Sequence, residues 1–179
     1  MPLPRCWFRG ERLTLRPQPP AARGGRAPEL ARYRGSDNNR PMGDQPRYTG
    51  GCLCGAVRYE AEGEPSMMGH CYCADCRKAS GAGFIPFLTF RSHAVRFSGA
   101  TRQFACKAAS GRDAVRNSCP VCGGLVFGGT VGTDDSFTIY AGSLDDASLF
   151  RPRIAIFTRG RPQWAMIPPG LRVYEGLPG

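Results

Sequence analysis

From Tyr48 onward, hydrophobic and polar positions change over with a period of two or cluster in short apolar runs, and no stretch sustains a period of 3.6. Ala56-Val57-Arg58-Tyr59-Glu60-Ala61 alternates, and Phe84-Ile85-Pro86-Phe87-Leu88-Thr89-Phe90 is a short apolar run. These segments predict strands, as do Ala94 to Phe97, Thr101 to Phe104, Leu125 to Phe127, Phe137 to Tyr140 and Ile154 to Thr158. Turn signals separate them at Ser98-Gly99, Ser110-Gly111, Gly123-Gly124 and Gly128-Gly129. One helical turn or two is predicted at Asp145 to Phe150, behind the capping pattern Ser143-Leu144-Asp145-Asp146. The pattern predicts an all-β domain, and 16 Pro and 24 Gly suit a chain of many turns and few long elements.

Composition adds a boundary. Residues 1 to 41 are dense in Pro, Arg and Gly, with scattered apolar positions that cannot bury enough surface to offset the entropy of ordering. They read as a disordered tail, with residues 42 to 179 as the folded domain and Met42 as a natural first residue for it. The charge of +10 is uneven: nine Arg and three acids give the tail +6, leaving +4 for the domain. Nucleic acid is therefore not the expected partner of the domain. No run of about 18 apolar residues exists to span a membrane as a helix. Met1 to Gly10 lacks the apolar stretch of a secretory signal, so the expected location is the cytoplasm.

The candidate chemistry lies in nine cysteines, seven of them in close-set groups: Cys52-Leu53-Cys54, Cys71-Tyr72-Cys73-Ala74-Asp75-Cys76 and Cys119-Pro120-Val121-Cys122. C-x-C and C-x-x-C spacings, in an odd total and without an export signal, point to metal binding in a reducing compartment rather than to disulfides. Residues i and i+2 of an extended segment share a face, so Cys52 and Cys54 are expected to offer two sulfurs to one ion, and Cys71 and Cys73 likewise. In Cys119-Pro120-Val121-Cys122-Gly123-Gly124, proline fixes the turn and the following glycine admits positive φ, letting backbone N–H groups aim at sulfur. One such knuckle and one C-x-C make a closed four-thiolate zinc site that ties Cys52 and Cys54 to Cys119 and Cys122 and contributes to folding. Cys71, Cys73 and Cys76 then make a three-thiolate zinc site whose fourth position is open to substrate.

The motifs Gly51-Cys52-Leu53-Cys54-Gly55-Ala56-Val57-Arg58-Tyr59, His70 to Gly81, Cys119-Pro120-Val121-Cys122-Gly123, Ala141-Gly142-Ser143-Leu144-Asp145-Asp146 and Trp164 stand together in an order that resembles the glutathione-dependent formaldehyde-activating enzymes. The resemblance covers about residues 47 to 177 and extends to the centromere protein V group. It implies a β-tent fold of stacked antiparallel sheets, structural zinc on Cys52, Cys54, Cys119 and Cys122, and catalytic zinc on Cys71, Cys73 and Cys76. The chain departs from it at Tyr72 and Ala155, where many relatives carry His, and at Ser118, where a large apolar residue is usual.

Three thiolates on Zn²⁺ leave a net charge near −1, which makes the ion a weak activator of water and a better host for a substrate thiolate. With the resemblance, this implies a carbon-sulfur lyase reaction that joins glutathione, as co-substrate, to formaldehyde, or acts on a related small thiol or aldehyde. Arg77 and Lys78, adjacent to the last ligand, are expected to offset the negative centre and to receive a substrate carboxylate. The competing reading is a non-catalytic zinc module whose basic tail engages nucleic acid or an acidic protein. For the other conspicuous residues the expectations are structural. His70 stands behind the ligands, His93 is exposed, and Cys106 is a buried small apolar side chain. Asp145 and Asp146 cap a helix. Trp164 packs in the core or rims a pocket, while Ser80 and Gly81 shape the loop that presents the metal.

Overall fold

The alternating and apolar segments form two β-sheets that share one core. The structure is a computed structural model and describes residues 45–178 except 109, 110 and 112. The tail at residues 1–41, with Cys6, and Met42 lie outside the described residues. In chain order the strands are β1 (Arg47–Gly51), β2 (Arg58–Glu62), β3 (Met67–Cys71), β4 (Ile85–Arg91), β5 (Val95–Ser98), β6 (Arg102–Lys107), β7 (Asp113–Ser118), β8 (Leu125–Gly128), β9 (Ser136–Tyr140), β10 (Ile154–Ile156) and β11 (Arg172–Val173). Helix α1 (Ala74–Ser80) follows β3.

Strands β1, β2 and β5 make an antiparallel sheet in the order β1-β2-β5. The other eight form a sheet in the order β11-β10-β3-β4-β9-β8-β7-β6. The all-β class holds, but the larger sheet is mixed, because β10 runs parallel to both β3 and β11. That direction is not set by a hairpin: β10 joins β3 only after β4 to β9 have been laid down, the long crossover a parallel pair requires.

Strand β4 shows why the larger sheet is central. Its run is buried on both faces: Leu88 and Phe90 pack with the small sheet, while Ile85 and Phe87 join a second cluster on the reverse. The first cluster joins Tyr48, Val57, Tyr59, Ala61 and Val95 to Leu88, Phe90, Val126, Phe127, Phe137 and Ile139. Phe97 stacks on Phe127 at 3.8 Å between ring centroids, and Tyr48 meets Phe90 edge-on at 5.1 Å. Each such side chain, fully buried, contributes about 1.5–3 kcal/mol. The reverse face, with Cys71, Ile85, Phe87, Ile154 and Ile156, is where Cys73 and Cys76 pack.

Sequence pattern did not indicate β1, β3, β7 or β11. Their segments RYTGG, MMGHC and DAVRNS carry glycine or irregular polarity, and β11 is two residues long, so only pairing with neighbours makes them strands. The helix predicted at Asp145 to Phe150 is corrected to a single 3-10 turn, Ala147–Leu149. Asp146 caps that turn through Ser148 N–H at 2.9 Å, as a cap should. Asp145 does not cap. Its carboxylate is held by Arg58, with Nη1 donating at 2.9 Å, and by the Thr49 hydroxyl at 2.8 Å.

Candidate metal centres

Both cysteine clusters assemble, although not by the extended geometry the C-x-C spacing suggested. Cys52 leaves β1 into a tight turn in which Gly55 N–H bonds to Cys52 C=O at 3.1 Å. Cys71 ends β3 and Cys73 is the N-cap of α1. In each case a change of chain direction, not a shared strand face, brings the sulfurs together.

The Sγ atoms of Cys52, Cys54, Cys119 and Cys122 all lie within 4.8 Å of one another, with Cys52 to Cys54 and Cys54 to Cys119 at 3.6 Å. A tetrahedron of sulfurs about 2.3 Å from zinc has edges of about 3.8 Å, so four thiolates here fit that ion. Gly123 sits at φ 73°, as the knuckle requires, and Val121 N–H points at Cys119 Sγ at 3.4 Å. Val57 N–H does the same for Cys52 at 3.2 Å. The Cys122 thiol is pulled down to about 6, first by the Gly124 N–H and then by that of Cys54. Burial alone would raise the Cys52 thiol, but the Val57 N–H and the Cys119 and Cys54 sulfurs bring it down. The cluster joins the end of β1 in the small sheet to the β7–β8 turn in the large one, which suits it to a structural role.

Cys71, Cys73 and Cys76 also place their sulfurs within 4.8 Å of one another, and among the described residues no fourth His, Cys, Asp or Glu completes the group. Helix α1 exists to present two of them. It is seven residues long and buries none of them fully, so its ends decide its stability. The Cys73 sulfur accepts the Cys76 N–H at 3.3 Å as N-cap, and Gly81, left-handed at φ 67°, closes the other end by donating to Arg77 C=O at 2.9 Å. Ser80 returns its hydroxyl to Cys76 C=O at 2.9 Å. Three thiols this close cannot all ionise without a cation. Cys73 is drawn down to about 2, first because the Cys71 and Cys76 thiols donate to it and then through N–H groups of Cys76 and Asp75. The Cys71 thiol is pushed up by its hydrogen bonds to Cys73 and Cys76 and by burial. A divalent cation entering the cluster would displace the protons so retained.

The structure adds two residues that sequence reasoning missed. Arg116 on β7 donates from Nη1 to Cys106 Sγ at 3.5 Å, and its charge lies within electrostatic reach of Cys76. Burial would lower its proton affinity, but Tyr140, Cys76 and Cys106 more than offset that, so it stays cationic. Its Nε is buried with no hydrogen-bond partner. Tyr140 reaches the same place because Gly128 has no side chain: a β-carbon there would lie 3.1 Å from the Tyr140 hydroxyl. Burial pushes the Tyr140 phenol up, keeping it protonated beside the arginine. No periodicity signals either residue, because β7 and β9 meet the cluster only through the pairing of β7, β8 and β9.

The remaining expectations divide. Arg77 is half-buried with Nε shielded from water and unbonded, while Lys78 is exposed. Cys106 is corrected: it is half-buried and in contact with Arg116 rather than an apolar filler. His70 is buried and stacks on Phe84 at 4.3 Å; burial lowers its pKa, and it does not join the sulfurs. His93 is exposed in a 3-10 turn. Trp164 is 69% exposed and lies against Gly83 just beyond α1, not in the core. Tyr72 and Ala155, two of the departures from the family pattern, pack in one cluster with Ala165, and the Tyr72 hydroxyl donates to Met166 C=O at 2.8 Å.

The family model for the glutathione-dependent formaldehyde-activating enzyme matches residues 47–160, a span that contains both clusters, α1, Arg116 and Tyr140. The chain belongs to this family. A crystal structure of a Rhodobacter sphaeroides protein, solved as a structural-genomics target, is 18% identical, with 70% of this chain and 98% of that one covered at a TM-score of 0.43. No curated protein matches the chain. As a member of the formaldehyde-activating family, the chain carries cysteine clusters able to hold two metal ions, and among the described residues no helix is long and apolar enough to cross a membrane.

Proposed function

We propose that the protein is a zinc-dependent carbon-sulfur lyase that joins glutathione, or a related small thiol, to formaldehyde and reverses that addition. The observation that carries the reading is the incomplete donor set of Cys71, Cys73 and Cys76, in a chain of the formaldehyde-activating family. A zinc ion held by those three sulfurs supplies a position that takes a thiol as its thiolate. In the reaction the glutathione sulfur bonds to the formaldehyde carbon, the C=O π pair moves to oxygen, and the thiol proton ends there as the hydroxyl of S-hydroxymethylglutathione. Reversal breaks the C–S bond and returns the proton to sulfur.

The chain's own residues set the conditions. Arg116, within electrostatic reach of Cys76, offsets the negative charge of the thiolates, and the protonated Tyr140 hydroxyl is a donor for oxygen at which charge develops. Arg77, on α1 one residue after the last of the three cysteines, is half-buried and is assigned to a substrate carboxylate through its guanidinium, and the exposed Lys78 adds positive charge beside it. Cys52, Cys54, Cys119 and Cys122 would hold the second, structural zinc. The non-catalytic alternative depends on residues 1–41, outside the described residues.

The test compares formaldehyde consumption with and without zinc-replete protein at matched glutathione and aldehyde, since the addition also proceeds uncatalysed. Acceleration is expected. Arg77→Ala should weaken glutathione binding by about 1–3 kcal/mol with zinc content unchanged. Arg116→Gln should lower the rate while Arg116→Lys, which keeps the charge, recovers part of it. No acceleration, together with no glutathione-dependent change at the metal, would reject the assignment.

A further inference from the structure

Away from both metal clusters, at the Met67 end of β3, the chain forms a cavity of about 560 Å³. Met68 is its lining residue nearest along β3 to Cys71, three residues or about 10 Å away at the rise of a β-strand, and none of the cluster cysteines lines it. Its size is that of a small-molecule site. Three arginines, Arg151, Arg153 and Arg172, line it against one carboxylate, Glu64. Elsewhere Arg47 and Arg96 pair with Glu62, Arg58 with Asp145 and Arg159 with Glu175. Among the described residues the three cavity arginines make no such pair.

Backbone bonds hold these like charges together. Arg153 N–H donates to Met68 C=O at 2.9 Å and Arg172 N–H to Arg153 C=O at 3.0 Å, while Arg151 N–H points at Met68 Sδ at 2.8 Å. The backbone at the root of each of these exposed side chains is thus fixed by the junction of β3, β10 and β11. Tyr48 adds a donor. Its ring is buried against Phe90, its hydroxyl makes no hydrogen bond among the described residues, and that hydroxyl lies within the field of Glu64, Arg151 and Arg153. Met67, Met68 and Ile154 give the cavity an apolar floor.

Three planar forks that each match a carboxylate or phosphate edge, one phenol, and an apolar floor describe a receptor for one kind of ligand. We propose that this cavity is a binding site for a small organic polyanion, one that presents two or more carboxylate or phosphate groups to Arg151, Arg153 and Arg172 with Tyr48 as a further donor. The proposal goes beyond the reaction at the cysteines and does not depend on it.

The experiment is calorimetric titration of the full zinc-loaded chain with citrate and, separately, pyrophosphate, each at constant ionic strength, with sodium chloride as the monovalent control. Saturable one-to-one binding is expected for at least one of the two, and which one identifies carboxylate or phosphate as the group recognised. Arg153→Gln and Arg172→Gln should each weaken it about tenfold or more, and Glu64→Gln should tighten it. Cys73→Ser should leave it unchanged, which separates this site from the metal centre. The side chains of Glu64, Arg153 and Arg172 make no hydrogen bond or ion pair among the described residues, and melting curves check that every variant, Cys73→Ser included, folds. Absence of saturable binding by both probes, affinity indifferent to Arg153→Gln and Arg172→Gln, or loss of binding in Cys73→Ser would each overturn the proposal.

Discussion

Cys73 is assigned two tasks at once, ligand and helix cap, and substitution can separate them. Its sulfur accepts the Cys76 N–H at 3.3 Å and belongs to the three-sulfur cluster. Serine keeps a side-chain acceptor at the N-cap but is a poor soft-metal ligand, whereas alanine keeps neither. Both variants should therefore fall from about two zinc ions per chain to about one, with the four-cysteine site still filled. They should differ in α1. An N-cap acceptor is worth about 1 kcal/mol, and α1 has no fully buried residue to compensate its loss. With RT near 0.59 kcal/mol, the helix in Cys73→Ala should open about fivefold more often than in Cys73→Ser. Native-state hydrogen exchange reads this at two amides: Arg77 N–H, bonded to the residue-73 carbonyl at 3.0 Å, and Gly81 N–H, bonded to Arg77 C=O at 2.9 Å. Amides in β4 should exchange alike in both variants. Equal exchange at Arg77 and Gly81 in the two would refute the capping role, and full zinc content in either would refute the ligand role.

Two further outcomes follow from the same reasoning. Cys122→Ser opens the four-sulfur cluster that joins the small sheet to the large one, so it should cost cooperative unfolding, read by calorimetry, where Cys73→Ser leaves it intact; equal loss in both would remove the division into structural and open sites. Asn117 is fully buried, accepts from Thr101 at 3.0 Å and Gln103 at 3.1 Å, and donates to Gly129 C=O at 2.7 Å. Asn117→Ala strands those partners and should destabilise the domain by roughly 3 kcal/mol in denaturant unfolding, and a loss under 1 kcal/mol would show the network to be solvated.

Local chemistry carries what the sequence determines by itself. Seven cysteines in three tight groups prescribe two thiolate clusters whatever the route of the chain, because C-x-C and C-x-x-C place sulfurs within reach of one ion in several backbone conformations. The knuckle at Cys119 to Gly123 is local in the same sense, since proline and a positive-φ glycine define it. Alternation and short apolar runs were enough for the all-β class and for β2, β4, β5, β6, β8, β9 and β10. The helix escaped for a physical reason: α1 has no apolar stripe and is held by a sulfur at one end and a glycine at the other. Asp145 misled because an acid before an apolar run reads as a cap, while its actual partners, Arg58 and Thr49, are 87 and 96 residues away in sequence. Only the tertiary structure decided which side of the large sheet bears the open cluster. It did so by burying β4 on both faces, and it alone brought Arg116 and Tyr140 to Cys76 across three paired strands. The gathering of Arg151, Arg153 and Arg172 around one cavity is equally a product of the β3–β10–β11 junction. Such contacts depend on sheet order and register, which act between residues far apart in the chain and leave no local trace in its pattern.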